Sequence, residues 1–401
     1  MLANNNYRLY PIIFISFLRV AVSFTLELAI PLYFISISLN PLVIGIITSG
    51  TSMIYLFSPV LLKDVSQKIG IKKALLISVL GSLIIQIIFQ FSLEPWLVYG
   101  LLITEGFLIG LFWPVLITNL SILSKTKGVC EDESEQDKLI NRYNVAWNSG
   151  AIFSYLIGTI LLFIIELVEL VFILTLIYSM LLVVFTVLFQ DPETRKNNEQ
   201  QQEFLITNEY KARCKSENIS FPFILPLYII AFYGFLIGSL ILLYPIKSEA
   251  LNFAFFTTYL LNFFRMTAQT ISISKLSNLP IRVLKKLFYF SLPAMLLIFV
   301  FLDLFDNIFI FGTLFVSFGF FGSILYTFSF KMIVYKNIVE DSSKYSSYFE
   351  TSSGLGFFMS PIIGGFLASF NLSFAFYFTA VLTLIVTVFS LLIRKNLKFE
   401  S

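Results

Sequence analysis

Long apolar segments alternate with short polar ones along the whole chain. A helix needs about 20 mostly apolar residues to cross a bilayer. Links as short as residues 93–95 and 371–373 force neighbouring segments into antiparallel hairpins. The pattern predicts an all-α integral membrane protein with twelve transmembrane helices. The predicted spans are 10–36, 42–62, 73–92, 96–123, 140–163, 168–188, 222–244, 251–274, 285–302, 308–330, 346–370 and 374–393.

The longest polar stretch divides the chain into six spans plus six. It predicts an N-terminal six-helix bundle at 1–189 and a C-terminal six-helix bundle at 222–393. Residues 190–221 are then a cytoplasmic linker, and 394–401 a cytoplasmic tail.

Basic residues fall on one side of this arrangement. Of the 27 Lys and Arg residues, Lys247 lies in an outer link, Arg19 and Arg265 lie inside spans, and the other 24 lie in inner segments. Cytoplasmic loops are enriched in Lys and Arg. We therefore expect a multi-pass protein of the cell (plasma) membrane with both termini in the cytoplasm.

Composition excludes several classes of function. Hydrophobic residues make up 57% of the chain and charged residues 13%, against about 25% charged in soluble domains. A net charge of +3 gives no reason to expect nucleic acid as a partner. Histidine is absent, and Cys130 and Cys214 are not spaced like a metal site. We expect no metal, no cofactor and no enzymatic activity, since there is no Ser-His or Cys-His pair and no phosphate loop.

A repeat of small residues connects the two halves. Small residues four apart form a stripe that lets another helix approach closely. The eleventh span repeats the stripe of the fifth at an offset of 206 residues, which favours duplication of one half. The residues are Gly150, Ser154 and Gly158 in the fifth span, and Gly356, Ser360, Pro361 and Gly364 in the eleventh.

Several motifs together resemble the major facilitator superfamily. The fourth span carries Gly106-x3-Gly110-Leu111-Phe112-Trp113-Pro114, the fifth begins Asn144-x2-Trp147-Asn148-x-Gly150, and the eleventh runs from Ser353-Gly354 to Gly365. The loop 66–73 is similar to the family's basic loop, although Gln67 stands where Asp is usual. The resemblance implies two six-helix bundles around a central cavity, lined by helices one, four, seven and ten. It also implies rocking of one bundle against the other and a monomer.

Four charged residues lie deep inside predicted spans: Arg19, Glu27, Glu105 and Arg265. Each costs about 2.5–3.5 kcal/mol at a helix centre and needs a partner, water or a function. Glu27 and Glu105 each lie nine residues from the outer end of their span, so they are expected at a similar depth. Two nearby carboxylates do not both ionise cheaply, so one is expected to bind a proton on one side of the membrane and release it on the other. Glu27 and Glu105 are therefore the predicted proton-coupling residues. The alternative is a fixed ion pair of Arg19 with a carboxylate.

The remaining candidate residues are polar or aromatic. Arg265 is expected either to pair with Glu350 or to bind an anionic group of the substrate, with Asn262 and Gln269 near it. A second group consists of Trp113, Asn144, Trp147 and Asn148, near the cytoplasmic ends of the fourth and fifth spans. These residues could stack on a substrate, although Trp is also common at membrane interfaces.

Together these features predict a secondary active transporter that works by alternating access. Its partners are the lipid bilayer, a small-molecule substrate and protons. Glu27 and the aromatic walls favour an exporter of amphipathic compounds. The alternatives are a transporter of organic or inorganic anions that uses Arg19 and Arg265, or an uncoupled uniporter.

Overall fold

The computed structural model describes residues 2–62, 65–124, 133–189, 218–340, 344–393 and 398–400. Both cysteines, most of the predicted linker and residues 394–397 and 401 of the predicted tail lie outside these ranges. The described chain is helical apart from short turns and two three-residue strands, which confirms the predicted fold class.

Nine helices make up the described part of the first half. The predicted second span is divided among three of them, and a fourth short helix follows it in the connection to the third span. The helices are α1 (Leu2–Ser36), α2 (Pro41–Thr48), α3 (Gly50–Tyr55), α4 (Ser58–Leu61), α5 (Val65–Ile69), α6 (Ile71–Phe89), α7 (Pro95–Ser124), α8 (Glu133–Ile165) and α9 (Glu169–Leu188).

The second half contributes six long helices and two short strands to the described chain. The helices extend past several predicted spans, because hydropathy marks only the apolar part of a helix. The elements are β1 (Asn218–Ser220), α10 (Ile224–Ala250), α11 (Phe256–Leu276), α12 (Ile281–Leu304), α13 (Ile308–Glu340), α14 (Lys344–Phe370), α15 (Leu372–Ile393) and β2 (Lys398–Glu400).

The second span is broken near its cytoplasmic end. The prediction of one continuous helix over 42–62 is therefore wrong in detail. Pro59 has no amide hydrogen and cannot donate to the Tyr55 carbonyl four residues earlier. Consequently α3 ends at Tyr55, Leu56 and Phe57 form a turn, and α4 begins at Ser58.

The seventh span is longer than predicted and the eighth begins later. α10 continues through Pro245 to Ala250, and Asn252 then takes a left-handed φ of 54°. The amide of Phe253 donates to the Ser248 carbonyl at 2.9 Å, which closes the helix end. The apolar pattern did not predict this extension, because residues 247–249 are polar. Lys247 is buried there, with Nζ 3.0 Å from Asp306 Oδ1.

Eleven helical segments in the described ranges are long and apolar enough to cross a membrane. The predicted eighth span, α11, is not among them, because Asn262, Arg265 and Gln269 lower its hydropathy. All three residues are buried. α11 packs against α8 of the first half and α13 of its own half. These three polar residues therefore face other helices instead of lipid.

Small residues bring helices together both within and between the halves. A Cβ at Gly150 would overlap the Phe17 carbonyl oxygen of α1, and a Cβ at Gly356 would overlap the Ala231 carbonyl oxygen of α10. Further along the same helices, Gly158 contacts Tyr259 of α11, and the Pro361 carbonyl contacts Gly45 of α2. Corresponding stretches of the two halves therefore make corresponding contacts.

The other small residues of the two stripes also lie at helix contacts. Ser154 donates to the Ala151 carbonyl of its own helix at 2.9 Å. Ser360 lies against Gly238 of α10, and Gly364 faces the side chain of Leu243.

The two strands join the segment before α10 to the last described residues. β1 and β2 pair antiparallel, with Asn218 opposite Glu400 and Ser220 opposite Lys398. The end of the predicted linker and residues 398–400 therefore lie on the same face of the molecule.

Candidate functional site

Two of the four intramembrane charges form an ion pair inside the first half. Arg19 of α1 lies with Nη2 2.8 Å from Glu105 Oε1 of α7. Ser82 of α6 accepts from Arg19 Nη1 at 2.8 Å and donates to Glu105 Oε1 at 2.9 Å. Arg19 also lies 5.6 Å from the centre of the Phe112 ring. Both charged residues are buried among three helices of one half, so this pair holds α1, α6 and α7 together.

The other two charges lie where the halves meet. Tyr155 of α8 donates to Glu27 Oε2 of α1 at 3.3 Å and accepts from Arg265 Nη2 of α11 at 3.5 Å. Arg265 also donates from Nε to Asn262 Oδ1 at 2.9 Å. Glu27 is partly exposed, whereas Tyr155, Asn262 and Arg265 are buried. We call these four residues the interface cluster.

Helical spacing and one cross-half bond position the cluster. Asn262 and Arg265 are three residues apart, so their side chains share one face of α11. Tyr259, one turn earlier on the same helix, donates to the Thr25 carbonyl of α1 at 2.8 Å. This bond joins α11 to α1 in the arrangement described, two residues before Glu27.

Tyrosines are the site residues that sequence reasoning missed. Tyr155 contacts both charges, although no tyrosine is among the candidate residues taken from the sequence. Tyr233 of α10 also lies close enough to interact electrostatically with Arg265 and Glu27. A tyrosine in an apolar span has a hydroxyl that needs a partner, and that requirement is the signal that could have identified these residues.

The structure separates the two predicted carboxylates. Glu105 is bound to Arg19, while Glu27 is bound to Tyr155 and lies within the electrostatic influence of Arg265. The structure does not form the suggested pair of Arg265 with Glu350 either. Glu350 Oε2 accepts instead from the Tyr55 hydroxyl at 2.7 Å, across the contact between α3 and α14.

The aromatic candidates divide in the same way. The Trp147 ring lies 5.7 Å from Phe24, which lies 5.8 Å from Tyr155, so Trp147 reaches the interface cluster through one ring. Trp113 lies 5.1 Å from Phe112, beside the Arg19 pair. Asn148 is buried on α8, and the side chain of Asn144 lies outside the described residues.

Two halves of six spans, with charges of opposite sign facing each other between them, define a polytopic membrane transporter. A family model of the Major Facilitator Superfamily matches residues 12–338. The chain therefore belongs to the Major Facilitator Superfamily, as the sequence motifs predicted.

Solved structures support the same fold over nearly the whole chain. A point mutant of the nucleoside transporter NupG is similar at a TM-score of 0.71 and 16% identity, covering 96% of this chain and 98% of that one. Tetrameric PepTSo2 matches at a TM-score of 0.70 and 12% identity, covering 98% of each chain. A POT family transporter in complex with 5-aminolevulinic acid matches at 0.68 and 13%, covering 96% and 95%.

No curated protein sequence matches the chain significantly. The identities to the solved structures are low enough that they show the fold alone. Membership of this family makes the chain a multi-pass secondary transporter and points away from an enzyme.

Proposed function

We propose that this chain is a proton-coupled secondary transporter and that Glu27 is its proton carrier. The supporting observation is the contrast between the two carboxylates. Glu105 has a fixed cation 2.8 Å away and is buried in one half. Glu27 is partly exposed, has a neutral hydroxyl as its hydrogen-bond donor, and lies where the halves meet. A carrier of protons needs access and a partner that can change, and these two features of Glu27 support that role.

Rocking of the halves changes the surroundings of Glu27. Glu27 and Tyr155 belong to the first half, whereas Arg265 belongs to the second. Separation of α11 from α1 and α8 lengthens the path from the carboxylate to the guanidinium. The ionised form of Glu27 then loses electrostatic support, which favours binding of a proton from the open side. Closure of the contact reverses this preference and releases the proton.

Arg19 and Glu105 have a different role in this proposal. Their charges compensate each other within the first half, so they hold three helices in a fixed arrangement while that half moves as a body. The expectation that Glu105 shares the coupling role is therefore replaced by a structural role.

Similar solved structures suggest solutes for a first screen. They include a nucleoside transporter, oligopeptide transporters and a complex with 5-aminolevulinic acid. All of these solutes are small and polar, and a charged, hydrogen-bonding interface cluster suits such compounds. The preference for an exporter of amphipathic compounds rested on Glu27 and its aromatic neighbours. Arg265 beside the same carboxylate counts against a cationic compound.

The proposed location is the cell (plasma) membrane, with both termini in the cytoplasm. The pairing of β1 with β2 supports a common side for the linker and the C-terminus. We propose a monomer as the working unit, because one chain supplies both sides of the interface cluster.

The test is solute-dependent proton flux in liposomes that contain a pH-sensitive dye. Pools of nucleosides, short peptides and small organic acids are screened with the wild type, and active pools are repeated with Glu27→Gln. We expect the variant to lose proton flux while it still binds the solute. Solute movement without proton flux in the wild type would overturn the proposal and indicate a uniporter or another coupling ion.

A further inference from the structure

Within the described part of the chain, Arg265 is a buried cation without a directly bound anion. Its two hydrogen bonds among the described residues go to Asn262 and Tyr155, which are both neutral. Arg19, by contrast, has Glu105 at 2.8 Å. Glu27 forms no direct ion pair with Arg265 and acts on it only through space and through the Tyr155 hydroxyl. A guanidinium has five N–H donors in a planar fork that fits carboxylates, so Arg265 has donors to spare.

Two further polar groups next to Arg265 are also incompletely bonded. The Tyr233 hydroxyl and Gln269 Oε1 are buried and near each other, but neither completes a hydrogen bond of ordinary geometry among the described residues. Gln269 lies four residues after Arg265 and therefore on the same face of α11. Buried polar groups are normally satisfied, so groups that lack partners beside a buried cation indicate a place for a ligand. The Tyr233 hydroxyl can donate to an anion, whereas Gln269 Oε1 can only accept a hydrogen bond, for example from a polar group of the same ligand.

Charge balance decides which kind of ligand fits. With Glu27 ionised, the interface cluster is neutral overall. When Glu27 takes a proton, Arg265 loses its counter-charge, and an uncompensated buried charge is strongly unfavourable. An anion restores neutrality, whereas a cation would add a second positive charge. We propose that the transported solute carries an anionic group of the carboxylate type, which binds Arg265 when Glu27 is protonated. This inference rests on the proposed role of Glu27 as proton carrier.

The experiment uses Glu27→Gln as a permanent mimic of the protonated carrier. The purified full-length protein is titrated with acetate, benzoate, benzyl alcohol and the benzylammonium ion, and thermal unfolding is followed. The last three probes share one ring and differ in charge. We expect both carboxylates to raise the Tm of Glu27→Gln in a saturable way, at least tenfold more tightly than in the wild type at pH 8. The wild type at pH 5 should approach the variant, while the alcohol and the cation should have no effect.

Two controls separate the site from general charge effects. Glu169→Gln removes an exposed carboxylate outside the cluster, and it should respond to the carboxylates as the wild type does. Adding Arg265→Gln to Glu27→Gln should abolish the gain. If that double variant does not fold, Arg265→Lys replaces it, since lysine keeps the charge but lacks the planar fork and should bind at least several-fold more weakly.

The outcomes distinguish this inference from the proposed function. If Glu27→Gln gains no carboxylate binding, or if the gain survives loss of Arg265, the anion site is wrong even where proton flux depends on Glu27. If proton flux persists in Glu27→Gln while carboxylates still bind through Arg265, the coupling role fails and the anion site stands.

Discussion

At the scale of single residues, Tyr155 contacts both of the opposite charges that lie between the halves. Its hydroxyl donates to Glu27 and accepts from Arg265. Tyr155→Phe removes both bonds and leaves a buried guanidinium with one partner fewer. We expect the solute-dependent proton flux to fall at least tenfold, and stability to fall by about 1–3 kcal/mol, the usual range for loss of one partner of a buried polar group. The flux assay and thermal unfolding in detergent measure the two effects.

Tyr178→Phe is the matched control for this substitution. Tyr178 is also buried in a span of the first half, but its hydroxyl has no hydrogen-bond partner among the described residues. The control should keep both flux and stability. Equal flux in the Tyr155 and Tyr178 variants would show that the hydroxyl between the charges has no part in coupling.

The Arg19–Glu105 pair gives a second prediction at this scale, about stability. Glu105→Gln leaves Arg19 buried without its counter-charge, and breaking a buried pair costs about 3–5 kcal/mol. Replacing both residues, Arg19→Met with Glu105→Leu, removes the two charges together and should recover most of that loss. Thermal unfolding of the single and double variants measures the difference. A double variant no more stable than Glu105→Gln would argue that the pair has a role beyond compensating charge.

Sequence reasoning identified all four intramembrane charges, because each is too costly to occur in lipid without a reason. It predicted an ion pair of Arg19 with a carboxylate as one alternative, but the suggested pair of Arg265 with Glu350 does not form. Position along a helix gives the depth of a residue, but not which neighbouring helix its side chain faces. Arg19 and Glu27 are eight residues apart on one helix, yet Arg19 meets α7 and Glu27 meets α8. The tyrosines were missed because a neutral aromatic residue causes no visible conflict in an apolar segment.

At the scale of elements, the break in the second span coincides with a bond between the halves. α3 ends at Tyr55, and the Tyr55 hydroxyl donates to Glu350 of α14 at 2.7 Å. The next residue, Leu56, packs against Gly354 of α14. A Cβ added at Gly354 would lie 3.3 Å from the backbone of Leu56. The broken helix therefore ends where it is tied to the other half.

Tyr55→Phe tests whether this bond holds that end of the contact closed. A hydrogen bond to a charged group contributes about 1.5–3 kcal/mol when buried and less when partly exposed, as here. In a background with Cys130→Ser and Cys214→Ser, Leu56→Cys reports opening by its rate of labelling with a maleimide. We expect Tyr55→Phe to raise that rate roughly threefold to tenfold, equivalent to about 0.6–1.4 kcal/mol.

Tyr99→Phe is the control for Tyr55→Phe. The Tyr99 hydroxyl of α7 contacts the Met53 sulfur of α3, on the same helix as Tyr55, at 3.3 Å, but it contacts no carboxylate among the described residues. Tyr99→Phe should leave the labelling rate unchanged. If Leu56→Cys is labelled equally fast with and without Tyr55→Phe, the bond from Tyr55 to Glu350 does not keep this contact closed.

Most elements could be predicted from the apolar pattern, and the exceptions share a physical cause. α11 has so many polar residues that it falls outside the eleven most apolar helical segments of the described chain. The apolar pattern still predicted a span at 251–274, and the alternation of the loop charges supported counting it. The break at Tyr55 was missed because a proline in a membrane helix is often tolerated without a break. Whether a proline interrupts a helix depends on its neighbours, which the sequence does not display.

At the scale of the whole molecule, the halves contact each other along two matching pairs of helices. α8 packs on α11, and the second span packs on α14. Gly158 with Tyr259 serves the first contact, and Gly45 with Pro361 serves the second. The repeat at an offset of 206 residues predicted the stripes but not what they would touch. Gly150 and Gly158 belong to one stripe of small residues, yet Gly150 contacts a helix of its own half and Gly158 contacts a helix of the other half. The sequence spacing is the same for both contacts, so only the structure shows which helix each glycine meets.

Alternating access requires that contacts between the halves open at one end of the molecule and then at the other. At the end where α8 finishes and α11 begins, the rings of Phe163 and Phe256 lie 5.2 Å apart. In the background without native cysteines, Phe163→Cys with Phe256→Cys is treated with a short dimaleimide. Because a linked pair cannot separate, we expect linked protein to lose nearly all solute-dependent flux, while each single variant treated in the same way keeps it. A protease site placed within 190–217 shows whether the link joins the halves of one chain, since linked halves stay together after cleavage on a denaturing gel. Full flux in linked protein would mean that this contact stays closed throughout the cycle, and the moving interface would then have to be sought along α14.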